Sequence, residues 1–124
     1  MATARGRLYH LPSGYPALVI PKEDIRAVGT ADPIHDALEQ QQLNLSKVYR
    51  PDGTLVYGEL MTFDDPEERL PALDHLEGFD PTRPSLYRRV LIPTKTMGGA
   101  AVLAWAYVIE ESSGTYLSDG RWPF

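Results

Sequence analysis

Leu86-Tyr87-Arg88-Arg89-Val90-Leu91-Ile92-Pro93-Thr94, a Gly98-Gly99 pair, and Ala101-Val102-Leu103-Ala104-Trp105-Ala106-Tyr107-Val108-Ile109 read together as a β-hairpin. Both runs are rich in β-branched and aromatic residues, and the paired glycines supply the turn. Outward from this hairpin the other strands are short. Gly6 to Leu11 and Tyr15 to Ile20 flank a Pro12-Ser13-Gly14 turn, Thr54 to Phe63 alternates with apolar residues on both faces, and Thr115 to Leu117 comes last. Gly58 inside the Thr54–Phe63 run suggests a bulge, or close approach by another backbone or a ligand.

Two helical stretches interrupt the strands. Asp32-Pro33 reads as an N-cap followed by proline at the first helical position, continuing through Gln42. Asp64-Asp65-Pro66 starts a helical turn, and Pro71 restarts the helix that runs to Glu77. Residues 21–53 carry the weakest pattern and read as a surface excursion closed by the turn Pro51-Asp52-Gly53. Five or six short strands with one or two helices predict an α+β domain spanning 1–124, built on a small mixed or antiparallel curled sheet or β-barrel with short flanking helices.

Composition excludes several function classes. The chain has 124 residues and no cysteine, so disulfides, thiolate metal sites and a cysteine nucleophile are unavailable. His10, His35 and His75 lack any close ligand spacing, and no metal or cofactor is expected. The net charge is −5; Glu59, Asp64, Asp65, Glu67, Glu68, Asp74, Glu77 and Asp80 crowd residues 59–80 against Arg69 alone. Such a surface repels phosphate backbones, so nucleic acid is not an expected partner. No stretch approaches a membrane span or a signal peptide, which makes a cytoplasmic protein with no membrane partner the default. Ser13 lacks the glycine frame of a nucleophile elbow, Ser112-Ser113-Gly114 reads as a turn, and Gly98-Gly99 is a hairpin turn rather than a phosphate cradle.

One carboxylate stands apart. With Leu70 at zero on a helical wheel, Leu73 falls near 300° and Glu77 near 340°, at about 100° per residue. Glu77 is therefore expected inside the apolar stripe, at the negative end of the helix dipole, with Gly78 as a left-handed stop. Both surroundings disfavour the charged form, which suits a general base working near neutral pH. A glutamate at a fraying helix end also commonly extends into water. Tyr87 begins the next strand, where its phenol either reaches back toward Glu77 or is a half-buried strand aromatic. Trp105 and Tyr107 share a strand face, walling a pocket or filling the core, with core filling the better fit for Trp105. His75 is expected to face solvent.

Taken in order, several segments resemble the γ-glutamylcyclotransferase family, including its avirulence-induced-gene-like members. These are Gly6-Arg7-Leu8-Tyr9, Tyr15-Pro16-Ala17-Leu18, Val56-Tyr57-Gly58-Glu59-Leu60, Leu73-Asp74-His75-Leu76-Glu77-Gly78, Tyr87-Arg88-Arg89, Ala104-Trp105-Ala106-Tyr107 and Ser118-Asp119-Gly120-Arg121-Trp122. The resemblance implies a small mixed β-barrel with helices alongside. It also implies an enzyme without cofactor, in which a γ-glutamyl α-amine attacks its own γ-carbonyl and releases 5-oxoproline and a free amine. Glu77 then stands at the position of the catalytic general base and acid. Tyr87, Tyr15 and Gly58 are the candidate substrate-binding residues for a small γ-glutamyl compound.

One family element has no counterpart. Family members begin with a tyrosine-glycine-serine or -threonine strand and loop whose backbone amides hold the substrate. Here Met1 to Arg5 lead directly into the family's second segment. Either the sequence begins downstream of its true start, or this member lacks the first strand and the electrostatic clamp that places the carbonyl. A missing strand implies an open sheet edge, covered by a second copy, a swapped segment or the 21–53 excursion. The alternative to an enzyme is a non-catalytic relic or interaction protein of the same fold, completed by oligomerisation or by another chain.

Overall fold

The computed structural model describes residues 1–43, 53–62, 64–110 and 114–121. The expected hairpin is its spine: β6 (Arg88–Thr96) pairs antiparallel with β7 (Ala101–Val108) from Arg88↔Val108 to Lys95↔Ala101. Gly99, at φ +88°, turns the chain, and Gly99 and Thr96 make the turn hydrogen bonds. Arg89 through Thr94 are all buried, as expected of a strand covered on both faces.

The other edge of β6 is shared by two short strands. β4 (Ala27–Val28) pairs with Val90 and Leu91, while β1 (Ala2–Arg5) pairs with Lys95 and Thr96. Pro93 fits between them. The Arg89 and Leu91 carbonyls face the β4 side, accepting from Gly29 and Arg26, so Pro93 points to the same edge by alternation. Its missing N–H therefore falls in the gap between the two partners. β5 (Leu55–Gly58) continues this sheet beyond β1, antiparallel from Ala2↔Gly58 to Arg5↔Leu55.

A second sheet holds β3 (Pro16–Val19), β2 (Arg7–His10) and β8 (Thr115–Tyr116) in that spatial order. β1 and β2 are consecutive, and Gly6 lets the chain pass from one sheet to the other. A Cβ there would lie 2.8 Å from the Val19 carbonyl oxygen and 2.9 Å from Ile20 Cδ1. Leu18 bridges the two buried clusters, one of Ala4, Ile20, Val90, Ile92 and Val108 and the other of Leu8, Val56 and Leu117.

The sheets do not close into the expected β-barrel. Their seams carry the backbone bonds Ile109 N–H to Leu18 O and Tyr57 N–H to Gly120 O, both 2.9 Å, rather than ladders. All described pairings are antiparallel. The fold is α+β with curled antiparallel sheets, not closed.

Four further expectations change. Met1–Arg5 is not merely a lead-in, because Ala2–Arg5 is an interior strand. The strand expected over Thr54–Phe63 is confined to Leu55–Gly58; Phe63 lies outside the described residues, as does most of the Pro51-Asp52-Gly53 turn. Residues 21–43 are not a surface excursion. They supply β4 and α1 (Pro33–Gln42), which packs beside α2 (Pro66–Leu76), buries Asp36 and sends Gln40 Nε2 to the Leu103 carbonyl at 2.9 Å. Asp32 does cap α1, accepting from the His35 N–H at 3.0 Å. Finally, Pro71 lies inside α2 rather than restarting it. Its ring removes one bond to the Glu67 carbonyl, but the helix continues around it.

Candidate active site

α2 ends in a complete Schellman closure. Gly78 adopts φ +71°, its N–H donates to the His75 carbonyl at 3.2 Å, and Phe79 N–H donates to the Asp74 carbonyl at 2.8 Å. Those are the two bonds of the motif, with Glu77 as the C-cap residue at φ −86°, ψ 0°. Phe79 is buried behind the turn.

The buried carboxylate of this turn is Asp74, not Glu77. Arg89 from β6 grips it with Nε to Oδ1 at 2.7 Å and Nη2 to Oδ2 at 3.1 Å, and Tyr107 from β7 donates its hydroxyl to Oδ1 at 2.6 Å. The same Nη2 reaches Asp36 Oδ2 on α1 at 3.0 Å and the Thr30 carbonyl at 3.2 Å. Thr30 completes Asp36 through its N–H at 3.0 Å and hydroxyl at 2.8 Å. Arg89 is 1 % exposed, with its guanidinium carbon 4.8 Å from the Trp105 ring centre and 5.9 Å from that of Phe79. Trp105 thus packs on a buried cation, and Tyr107 on the same strand face anchors a carboxylate.

Electrostatics follow from these neighbours. Burial opposes the charge on Arg89, but the hydrogen bonds and charges of Asp74 and Asp36 outweigh it and hold the guanidinium above its ordinary pKa. Tyr107 is pushed well up, first by burial, then by its bond to Asp74 and that residue's charge; Glu77 adds to the shift while Arg89 opposes it. Tyr87 is raised too, by burial first and then by the charge of Glu77. The Glu77 carboxylate therefore acts on both tyrosines.

Glu77 itself is exposed, contrary to the wheel, which placed it within the apolar stripe. Glu77 still makes the helical bond from its N–H to the Leu73 carbonyl at 2.9 Å, but the chain turns away at Gly78 and its side chain is exposed all the same. Among the described residues its carboxylate has no hydrogen-bond or ion-pair partner. Asp74 already accepts three hydrogen bonds on its carboxylate, whereas Glu77 keeps its lone pairs available.

Of the other candidates, Tyr87 lies within reach of the Glu77 charge. Tyr87 is half-buried, and its hydroxyl donates to the Pro16 carbonyl at 2.8 Å. This ties the start of β6 to the β2–β3 hairpin, where Tyr15 is 68 % exposed. Leu76 and Leu86, sequence neighbours of Glu77 and Tyr87, are exposed at 77 % and 67 %. Gly58 is not part of this group. It pairs with Ala2 at the Thr96 end of β6, on the order of 25 Å along the strand from Arg88 at the usual rise. Nothing lies within 4 Å of a Cβ placed there, so the close approach expected at Gly58 is absent.

A cavity of about 370 Å³ lies on the far side of the Asp74–Arg89 pair, between the start of α1, α2 and the Phe79–Thr82 loop; Glu77 does not line it. His75 is exposed, as expected. Among the described residues no group of three or more histidine or acidic side chains is placed to hold a metal ion, and no helix is long and apolar enough to cross a membrane.

A family model described as "Gamma-glutamyl cyclotransferase, AIG2-like" matches residues 45–124, which include α2, Glu77, Tyr87, Arg89 and Tyr107. No curated protein and no solved structure gives a significant match.

Proposed function

Since this chain belongs to the AIG2-like γ-glutamyl cyclotransferase family, we propose that it cyclises a small γ-glutamyl compound, with Glu77 as general base and then general acid. The observation that carries the reading is the contrast between the two carboxylates of one helical turn. Asp74 is buried and held by three donated bonds, whereas Glu77 is exposed, fixed by its backbone and close enough to Tyr87 and Tyr107 for its charge to act on both.

The chemistry asks little more of the protein. The substrate α-ammonium gives a proton to Glu77, and the freed amine attacks the γ-carbonyl carbon to form the lactam C–N bond. The γ-amide C–N bond then breaks as the leaving amine takes that proton from Glu77, and Glu77 accepts the second proton that the new lactam nitrogen sheds and passes it to the freed amine, which departs as an ammonium. Base and acid are one group used twice, with no covalent enzyme intermediate. Tyr87, and the exposed Tyr15 that precedes the Pro16 it bonds, supply aromatic and hydroxyl surface for the substrate.

The test is release of 5-oxoproline from a panel of γ-glutamyl amines and amino acids by the full chain and by Glu77→Gln. The variant is expected to lose activity while keeping its melting temperature, since exposed substitutions usually change stability by less than about 0.5 kcal/mol. Retained activity in Glu77→Gln sinks the assignment.

A second reading takes the same surface as an interaction patch. Leu76 beside Glu77, Leu86 beside Tyr87, and Tyr15 next to the Pro16 that Tyr87 bonds are large and at least two-thirds exposed, a setting that also suits contact with another chain. No turnover across the panel, together with a dimer by light scattering that Leu76→Lys disperses, favours this reading.

A further inference from the structure

Glu77 is held without any described contact to its own side chain, so its placement must come from the turn that contains it. That turn has one anchor in common. Asp74 accepts the Phe79 N–H with its main-chain carbonyl, closing the loop around Glu77, and its side chain is fixed to the sheet. Arg89 supplies two of the bonds to that side chain, both from β6. The Tyr107 hydroxyl reaches Oδ1 from β7, so the carboxylate is held from two strands rather than one.

We propose that Tyr107 is a positioning residue for Glu77, acting through Asp74 and the Schellman closure at the end of α2. Three contiguous links carry it: Tyr107 hydroxyl to Asp74 Oδ1 at 2.6 Å, Asp74 carbonyl to Phe79 N–H at 2.8 Å, and Gly78 N–H to the His75 carbonyl at 3.2 Å. Glu77 lies between the last two. A base displaced by about 1 Å can lose on the order of a hundredfold in rate, so holding this turn matters even though none of these groups touches substrate. Tyr107 spends its only proton on Asp74, and burial together with that bond keeps the phenol protonated. It acts as a strut and not as an acid.

The catalytic half of this inference rests on the role of Glu77 proposed above, and the experiment separates the two. Amide hydrogen exchange and steady-state kinetics are measured on the full chain and on Tyr107→Phe, which removes one oxygen. Asp74→Asn is the second variant; it keeps an acceptor for Tyr107 but weakens the grip of Arg89. In Tyr107→Phe, exchange at Glu77, Gly78 and Phe79 is expected to rise about tenfold while the β6–β7 amides keep their protection, and kcat to fall about tenfold at unchanged KM; Asp74→Asn, which keeps the Tyr107 bond, is expected to show the smaller change in both. Unchanged exchange at residues 77–79 overturns the proposal. So does a rise spread evenly over the fold, and so does a local rise with kcat intact. If the unaltered protein makes no 5-oxoproline, the catalytic role of Glu77 fails, while exchange at 77–79 still decides whether Tyr107 holds the turn.

Discussion

Replacing Arg89 with methionine tests whether the buried ion cluster organises the fold. The substitution keeps most of the apolar stem and removes four donated hydrogen bonds, two to Asp74, one to Asp36 and one to the Thr30 carbonyl. Two carboxylates then stay buried, at 2 % and 8 % side-chain exposure, with their shared cation gone. Breaking one partner from a buried pair costs about 3–5 kcal/mol, against a total stability for ordinary domains of about 5–15 kcal/mol. With an unfolding entropy of about 2.1 cal/mol/K per residue, a 4 kcal/mol loss in this chain lowers the melting temperature by roughly 15 °C. Urea titration followed by circular dichroism reads the free energy, and thermal melts read the shift. The diagnostic arm is Arg89→Met combined with Asp74→Asn. Removing one stranded charge is expected to recover about 1 kcal/mol or more relative to Arg89→Met alone, an interaction that independent sites do not show. A loss below about 1 kcal/mol in Arg89→Met, or no recovery in the double variant, refutes the reasoning.

Two other outcomes follow from the same geometry. Tyr87 and Tyr107 both titrate above an ordinary tyrosine, so the stability they lend is whole below about pH 10 and is lost as pH rises through their raised values. Absorbance at 295 nm in Glu77→Gln, with Tyr87→Phe to identify the signal, is expected to show Tyr87 titrating at lower pH than in the unaltered protein; a superimposable curve means that Glu77 is not beside it. Gly29→Ala would place a Cβ 2.7 Å from Arg89 Cζ. Because the guanidinium is pinned by its bonds and Trp105, it has nowhere to retreat, and a cost of about 1–3 kcal/mol in urea unfolding is expected. A neutral substitution means that the Arg89 stem relaxes freely.

Local signals carried much of this fold. Asp32-Pro33 opens α1, Gly98-Gly99 turns the long hairpin, and Gly78 stops α2, each through chemistry confined to a few neighbouring residues. The β1 strand escaped because Ala2-Thr3-Ala4-Arg5 has no β-branched or aromatic run; its small residues are there to fit between two strands, a long-range demand. The candidate site was half legible. The wheel that drew attention to Glu77 also puts Asp74 about 40° from Leu70, on the buried side, and that signal was available and missed. Its partners were not available, since Arg89 lies on β6 and Asp36 on a helix whose packing only the assembled fold reveals. The inward placement of Glu77 failed although its N–H keeps the helical bond to Leu73, because periodicity gives a direction around the axis and not whether anything packs there at the last turn. Barrel closure was beyond sequence pattern, because the seams depend on isolated bonds at strand ends.

The interior position of β1 also constrains the order in which the chain can fold. Ala2 pairs with Gly58 on one side and Thr96 on the other, partners 56 and 94 residues downstream. β6 and β7, by contrast, meet across a short turn. On the ribosome β1 emerges before either neighbour exists, and closing loops of that length costs entropy before any contact compensates it. The late hairpin is thus the natural nucleus. β1 is made before both of its neighbours yet locked in after them, and until then its backbone is an uncovered edge that a chaperone or a neighbouring nascent chain can reach.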